Sequence, residues 1–79
     1  MNQRERKAWI LETLASGKFE SIQDAYYAVG GEYQSLEGMP FGVRTLPNHI
    51  IDDFDAGSIS EEKSIELLAD AVRKIPDEV

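Results

Sequence analysis

"SEEKSIELLADAVRKIP", residues 60–76, decides the fold. Ile65, Leu68, Ala69, Val72 and Ile75 recur at helical spacing, so they form one apolar stripe. Ser60 supplies an N-cap, and Glu61 and Glu62 meet the positive end of the helix dipole. Arg73 and Lys74 meet the negative end, and Pro76 stops the run. A helix this short is stable only when its stripe is covered by others. Its cover must come from helix packing within the chain or from a partner chain.

Upstream, "TLPNHIIDDFDAG" (45–57) reads as a helix with Thr45 as cap, Pro47 in its first turn, Ile50, Ile51 and Phe54 on one side, and Gly57 beyond its end. "SIQDAYYAVGG" (21–31) reads as another. Ser21 caps it, Asp24 completes a capping-box-like pair, Ile22, Ala25, Tyr26 and Val29 face inward, and Gly30 with Gly31 supplies the exit. Near the start, "RERKAWILETLAS" (4–16) places Ala8, Ile10, Leu11, Leu14 and Ala15 along one side. Trp9 falls nearly opposite, among Glu5, Glu12, Thr13 and Ser16, and is expected either to lie under another segment or to anchor a partner. Tyr27 stands in the same position on its own helix.

Residues 31–44, "GEYQSLEGMPFGVR", carry glycines and a proline too often for a long helix. They also carry Tyr33, Leu36, Met39, Phe41 and Val43, too many apolar side chains for a solvated loop. This segment is expected to be irregular and packed over the core. The expected fold is all-α: a small bundle of about four short helices, in one domain spanning 1–79.

Composition narrows the function. Seventy-nine residues bury about 60% of the surface their unfolded chain exposes, enough for one core. Without cysteine there is neither a disulfide framework nor a thiolate metal site. No apolar run reaches the ~20 residues of a membrane span, and no signal-peptide core is present, so the chain reads as cytoplasmic. Fifteen acids against eight bases give a charge of −7, which opposes approach to a phosphate backbone. Up to Lys18, however, four bases (Arg4, Arg6, Lys7, Lys18) face two acids.

"DDFDAGSISEEKS" (52–64) has the alternating carboxylates and glycine of an EF-hand loop, but neither alignment holds. With Gly57 at the sixth position, Phe54, Ala56 and Lys63 fall on ligand positions. With Asp53 and Asp55 as first and third ligands, the glycine is displaced and Ser64 replaces the final glutamate. A helix end, a glycine turn and a serine-capped helix account for the stretch. His49, with Asp52 and Asp53 three and four residues on, makes a solvated ion-pair group rather than a metal site. "GG" and "GMPFG" lack the spacing and the lysine of phosphate-cradling loops. "FESIQDAYYAVGGEYQSLEG" (19–38) tests poorly as helix-turn-helix, because Tyr26 stands where a small residue is needed and the would-be reading helix carries Glu32 and Glu37 with no Lys or Arg. No nucleophile, base or cofactor motif can be named, so no enzyme is expected, and no cofactor or metal.

These residues point to a small acidic interaction module, an inhibitor or antitoxin-like regulator that binds a basic protein. Its candidate contacts are Trp9, Tyr27, Asp52, Asp53, Asp55, Glu61, Glu62, Glu66 and Asp70. The alternative is a small transcription-regulator domain touching DNA through Arg4, Arg6, Lys7 and Lys18. Trp9, off its stripe, is compatible with a homodimer.

Overall fold

The computed structural model describes residues 1–78. They form five helices and no strand: α1 (Gln3–Ser16), α2 (Ile22–Gln34), α3 (Phe41–Arg44), α4 (Leu46–Asp55) and α5 (Glu61–Lys74). The all-α bundle expected from the sequence is what forms, with α3, a single turn, as the fifth helix. α5 is central and packs on α1, α2 and α4. The shortest dimension is 17 Å, about two helix diameters, so the bundle is two layers deep. Among the described residues, no helix is long and apolar enough to cross a membrane.

The caps work largely as read. Ser60 Oγ accepts from Lys63 N at 3.0 Å, and Ser21 Oγ accepts from Asp24 N at 3.3 Å, although Asp24 does not complete the reciprocal half of a box. The complete capping box is at α1, where Asn2 Oδ1 accepts from Glu5 N at 2.8 Å and Asn2 N donates to Glu5 Oε1 at 3.3 Å. Thr45 precedes α4 without a side-chain cap bond. Gly57 adopts φ 77°, the left-handed exit that only glycine takes without strain.

Two further expectations fail, for physical reasons. Gly30 and Gly31 do not end α2; the helix runs through them to Gln34. Two helical glycines cost about 1 kcal/mol each, less than the gain from burying Tyr33. The Tyr33 ring is fully buried, its hydroxyl donates to the Val43 carbonyl at 2.7 Å, and it meets Tyr26 edge-to-face at 6.1 Å. Arg44 then closes the helix end, donating to the carbonyls of Gln34 (2.8 Å) and Leu36 (3.4 Å). The irregular segment thus shrinks to residues 35–40. Leu36 and Met39 close over the core as expected, whereas Phe41 stands 80% exposed.

The second failure concerns α1. Its buried face is Lys7, Ile10 and Leu14; Ala8 and Ala15 are exposed and Leu11 is half-buried. A lysine occupies a core position because α5 ends beside it. Lys7 Nζ donates to the Ile75 carbonyl and to Asp77 Oδ1, the latter at 2.8 Å. The ammonium thereby satisfies a carbonyl at the C-terminus of α5, where a cation is favoured. Gln3 assists, donating to the carbonyls of Glu37 (3.0 Å) and Pro76 (3.1 Å). No buried side-chain nitrogen or oxygen lacks a partner among the described residues.

The core joins Ile10 and Leu14 of α1 with Ile22, Ala25, Val29 and Tyr33 of α2, Ile50 of α4, and Leu68, Ala69 and Val72 of α5, sealed by Leu36, Met39 and Ile75. Ser64 is buried beside them and bonds the Glu61 carbonyl at 2.6 Å.

Candidate interaction surface

The fifteen carboxylates sort by what the fold does with them. Glu5, Asp24, Glu61 and Glu62 lie in first turns of helices, where the dipole favours them. Five others meet cations: Glu32 with Arg6 (2.6 Å), Asp77 with Lys7 (2.8 Å), Glu78 with Arg4 (3.2 Å), Asp70 with Arg73 (2.5 Å), and Glu66 with Lys63 at a looser 4.0 Å. The Lys7 ammonium, by hydrogen bond and by charge, holds the Asp77 carboxyl below its ordinary range. Glu12, Glu20 and Glu37 are exposed and well separated along the chain.

Asp52, Asp53 and Asp55 have no such account. They crowd the last turn of α4, at the negative end of its dipole, with no base in that turn. All three are exposed, and among the described residues none makes an ion pair. Each carboxylate so placed is disfavoured by roughly 0.3–1 kcal/mol. A five-residue connection leads from Asp55 to Glu61 and Glu62 of α5. His49, one turn before, is also exposed, and the ion pairing expected between it and Asp52 or Asp53 does not form among the described residues.

The structure therefore brings together only part of the expected contact set. Asp52, Asp53 and Asp55 share one helix turn, followed by Glu61 and Glu62. Glu66 and Asp70 run further along α5 with partners of their own. Trp9 (39% exposed) and Tyr27 (75% exposed) sit on other helices. The Arg6–Glu32 pair marks the flank where α1 meets α2, and at roughly 100° per residue Trp9 lies near that flank while Tyr27 points well away from it. The two aromatics do not form one patch with each other.

The basic N-terminal helix is largely spent within the fold. Arg4 and Arg6 pair with acids, and Lys7 is buried at 6% exposure and unavailable to a phosphate; Lys18 alone of the four is exposed and unpaired among the described residues. No helix-turn-helix exists at 19–38, since α2 is continuous through the glycines. Gln34, the one amide donor in the would-be reading helix, is bonded to the Tyr26 hydroxyl (2.8 Å) and the Arg44 carbonyl (3.1 Å).

Two features escaped the sequence reading. One is Phe41, whose exposure is foreshadowed only by its setting between Pro40 and Gly42. The other is an apolar groove of about 300 Å³ between α1 and α5, floored by Leu11, Leu14, Ala15, Ile65 and Ala69, with Glu62, Glu66 and Arg73 at its edges. Its α1 wall consists of residues the sequence had placed in the core. Compared with protein-family models, with curated proteins and with solved structures, the chain matches none.

Proposed function

We propose that this protein is an acidic interaction module that presents the end of α4 and the start of α5 to a basic protein. The supporting observation is the trio Asp52, Asp53 and Asp55, placed where the helix dipole disfavours them and left without cations. Departures from a local rule without a compensating contact inside the fold are expected at functional sites. Glu61 follows them at the start of α5, whereas Glu62 lies at the edge of the α1–α5 groove. Such an acidic surface steers a basic partner and raises its association rate. Occupying a basic site in this way is how an inhibitor or antitoxin-like regulator acts, and it requires no catalysis.

The test is affinity capture from the native host, with the wild-type protein beside a variant carrying Asp52→Asn, Asp53→Asn and Asp55→Asn. A basic protein held by the wild type, released by added salt and lost from the variant, supports the reading. A partner held equally by both removes it. The DNA reading has only Lys18 free among its four cations. A duplex-DNA titration at low salt separates the two, since binding that falls steeply with salt would favour DNA.

A further inference from the structure

Of the three charged residues at the edge of the α1–α5 groove, Glu66 and Arg73 are spaced for a second copy of the same pair, while Glu62 stands a turn further out. Glu66 and Arg73 stand two turns apart on α5, on the side that borders the groove, with Ala69 between them on the floor. A two-fold axis near Ala69 would set a second α5 antiparallel to the first. Under that operation Glu66 of each copy faces Arg73 of the other, so two opposite-charge pairs form at once. Ala69 is small enough to let the axes approach closely at the centre. Leu11, Ala15 and Ile65, which one copy covers incompletely, would close over the same residues of the other.

From this self-complementarity we infer that the protein associates with a second copy through α1 and α5. The pairing is isologous and closed, as two-fold contacts are. Arg73 keeps donors for it, because its guanidinium has five and its bond to Asp70 uses one. Two fourteen-residue helices side by side present a face of roughly 20 × 20 Å. That is at the small end for protein interfaces, so the dimer is weak and forms at high concentration. The surface is distinct from the α4 acids, and Trp9 lies on the far side of α1 from it.

Sedimentation equilibrium from micromolar to millimolar protein tests this with the wild type, Glu66→Arg and Arg73→Glu. The wild type should reach two copies. Each single variant sets like charges face to face and should associate at least about tenfold more weakly. An equimolar mixture of the two variants should restore association, because the two arginines at positions 66 and 73 of one then meet the two glutamates at those positions of the other, at both contacts across the axis. Both side chains are more than half exposed, so the fold should survive either change, which circular dichroism verifies. Trp9 emission should not move with concentration. A wild type that stays single throughout, a mixture that fails to restore pairing, or a blue shift of Trp9 on concentrating would each overturn the inference.

Discussion

Lys7 and Asp77 lie seventy residues apart in sequence, yet Lys7 Nζ stands 2.8 Å from Asp77 Oδ1 while donating to the Ile75 carbonyl. The first helix thus closes the end of the last. Lys7→Met keeps most of the stem's packing and removes both bonds. It should lower stability by about 1–3 kcal/mol, mainly through the carbonyl, because the exposed Asp77 is well screened. For a chain of this size each kcal/mol lowers Tm by about 4–8 °C, which thermal unfolding measures.

The same contact sets an acid limit. The folded Asp77 carboxyl titrates below its unfolded value, so its contribution is present above the unfolded pKa and is lost as pH falls through the folded one. Urea midpoints taken from neutral pH downward should decline through and below the ordinary carboxylate range. Asp77→Asn should flatten part of that decline, and an unchanged slope would contradict the assignment.

Tyr33 sets an alkaline limit. Burial first, and then the neighbouring Tyr26, push its hydroxyl up to about 12, against a smaller opposing pull from Arg44. Its contribution is therefore complete below the unfolded value near 10 and is lost as pH rises through about 12. Tyr33→Phe should remove that alkaline loss, at a cost of about 1 kcal/mol for the bond to the Val43 carbonyl. Denaturant midpoints across this range provide the comparison.

Glycines that look alike in sequence should respond in opposite directions. A Cβ at Gly31 meets nothing within 4 Å, so Gly31→Ala should stabilise α2 by about 0.5–1 kcal/mol. Gly57 has φ 77°, so Gly57→Ala should cost about 1–2 kcal/mol although space is open there too. Gly17→Ala should also destabilise, because a Cβ would run into the Phe19 ring and the Thr13 carbonyl. Chemical denaturation ranks all three.

Replacing Asp52, Asp53 and Asp55 by Asn should raise the stability of the isolated protein, by roughly 0.3–1 kcal/mol per site at low ionic strength. The gain should shrink with added salt. A loss of stability in calorimetry would mean that these carboxylates serve the fold.

The sequence made the all-α fold legible where signals are local. Ser60, Glu61, Glu62, Arg73, Lys74 and Pro76 bound α5 without reference to the rest of the chain, and Ser21 and Gly57 did the same for α2 and α4. It misled where the deciding partner is distant. Lys7 reads as solvated until Ile75 and Asp77 are placed beside it, and with Lys7 excluded the apolar stripe of α1 rotates onto Ala8 and Ala15. Gly30 and Gly31 read as a stop because the compensating terms, Tyr33 packed against Tyr26 and Arg44 closing the helix end, arise from residues beyond them. The carboxylates of α4 were visible in sequence, but their lack of cations was not, because pairing is decided by the fold.

The clasp between Lys7 and the end of α5 also fixes an order of events during synthesis. At about 5–20 residues per second the nascent chain extends for several seconds between Lys7 and Ile75. For that interval α1 has no acceptor for its inward ammonium, and its apolar side has only α2 to rest on. The early helices must therefore wait, loosely associated, until the final segment emerges to lock them.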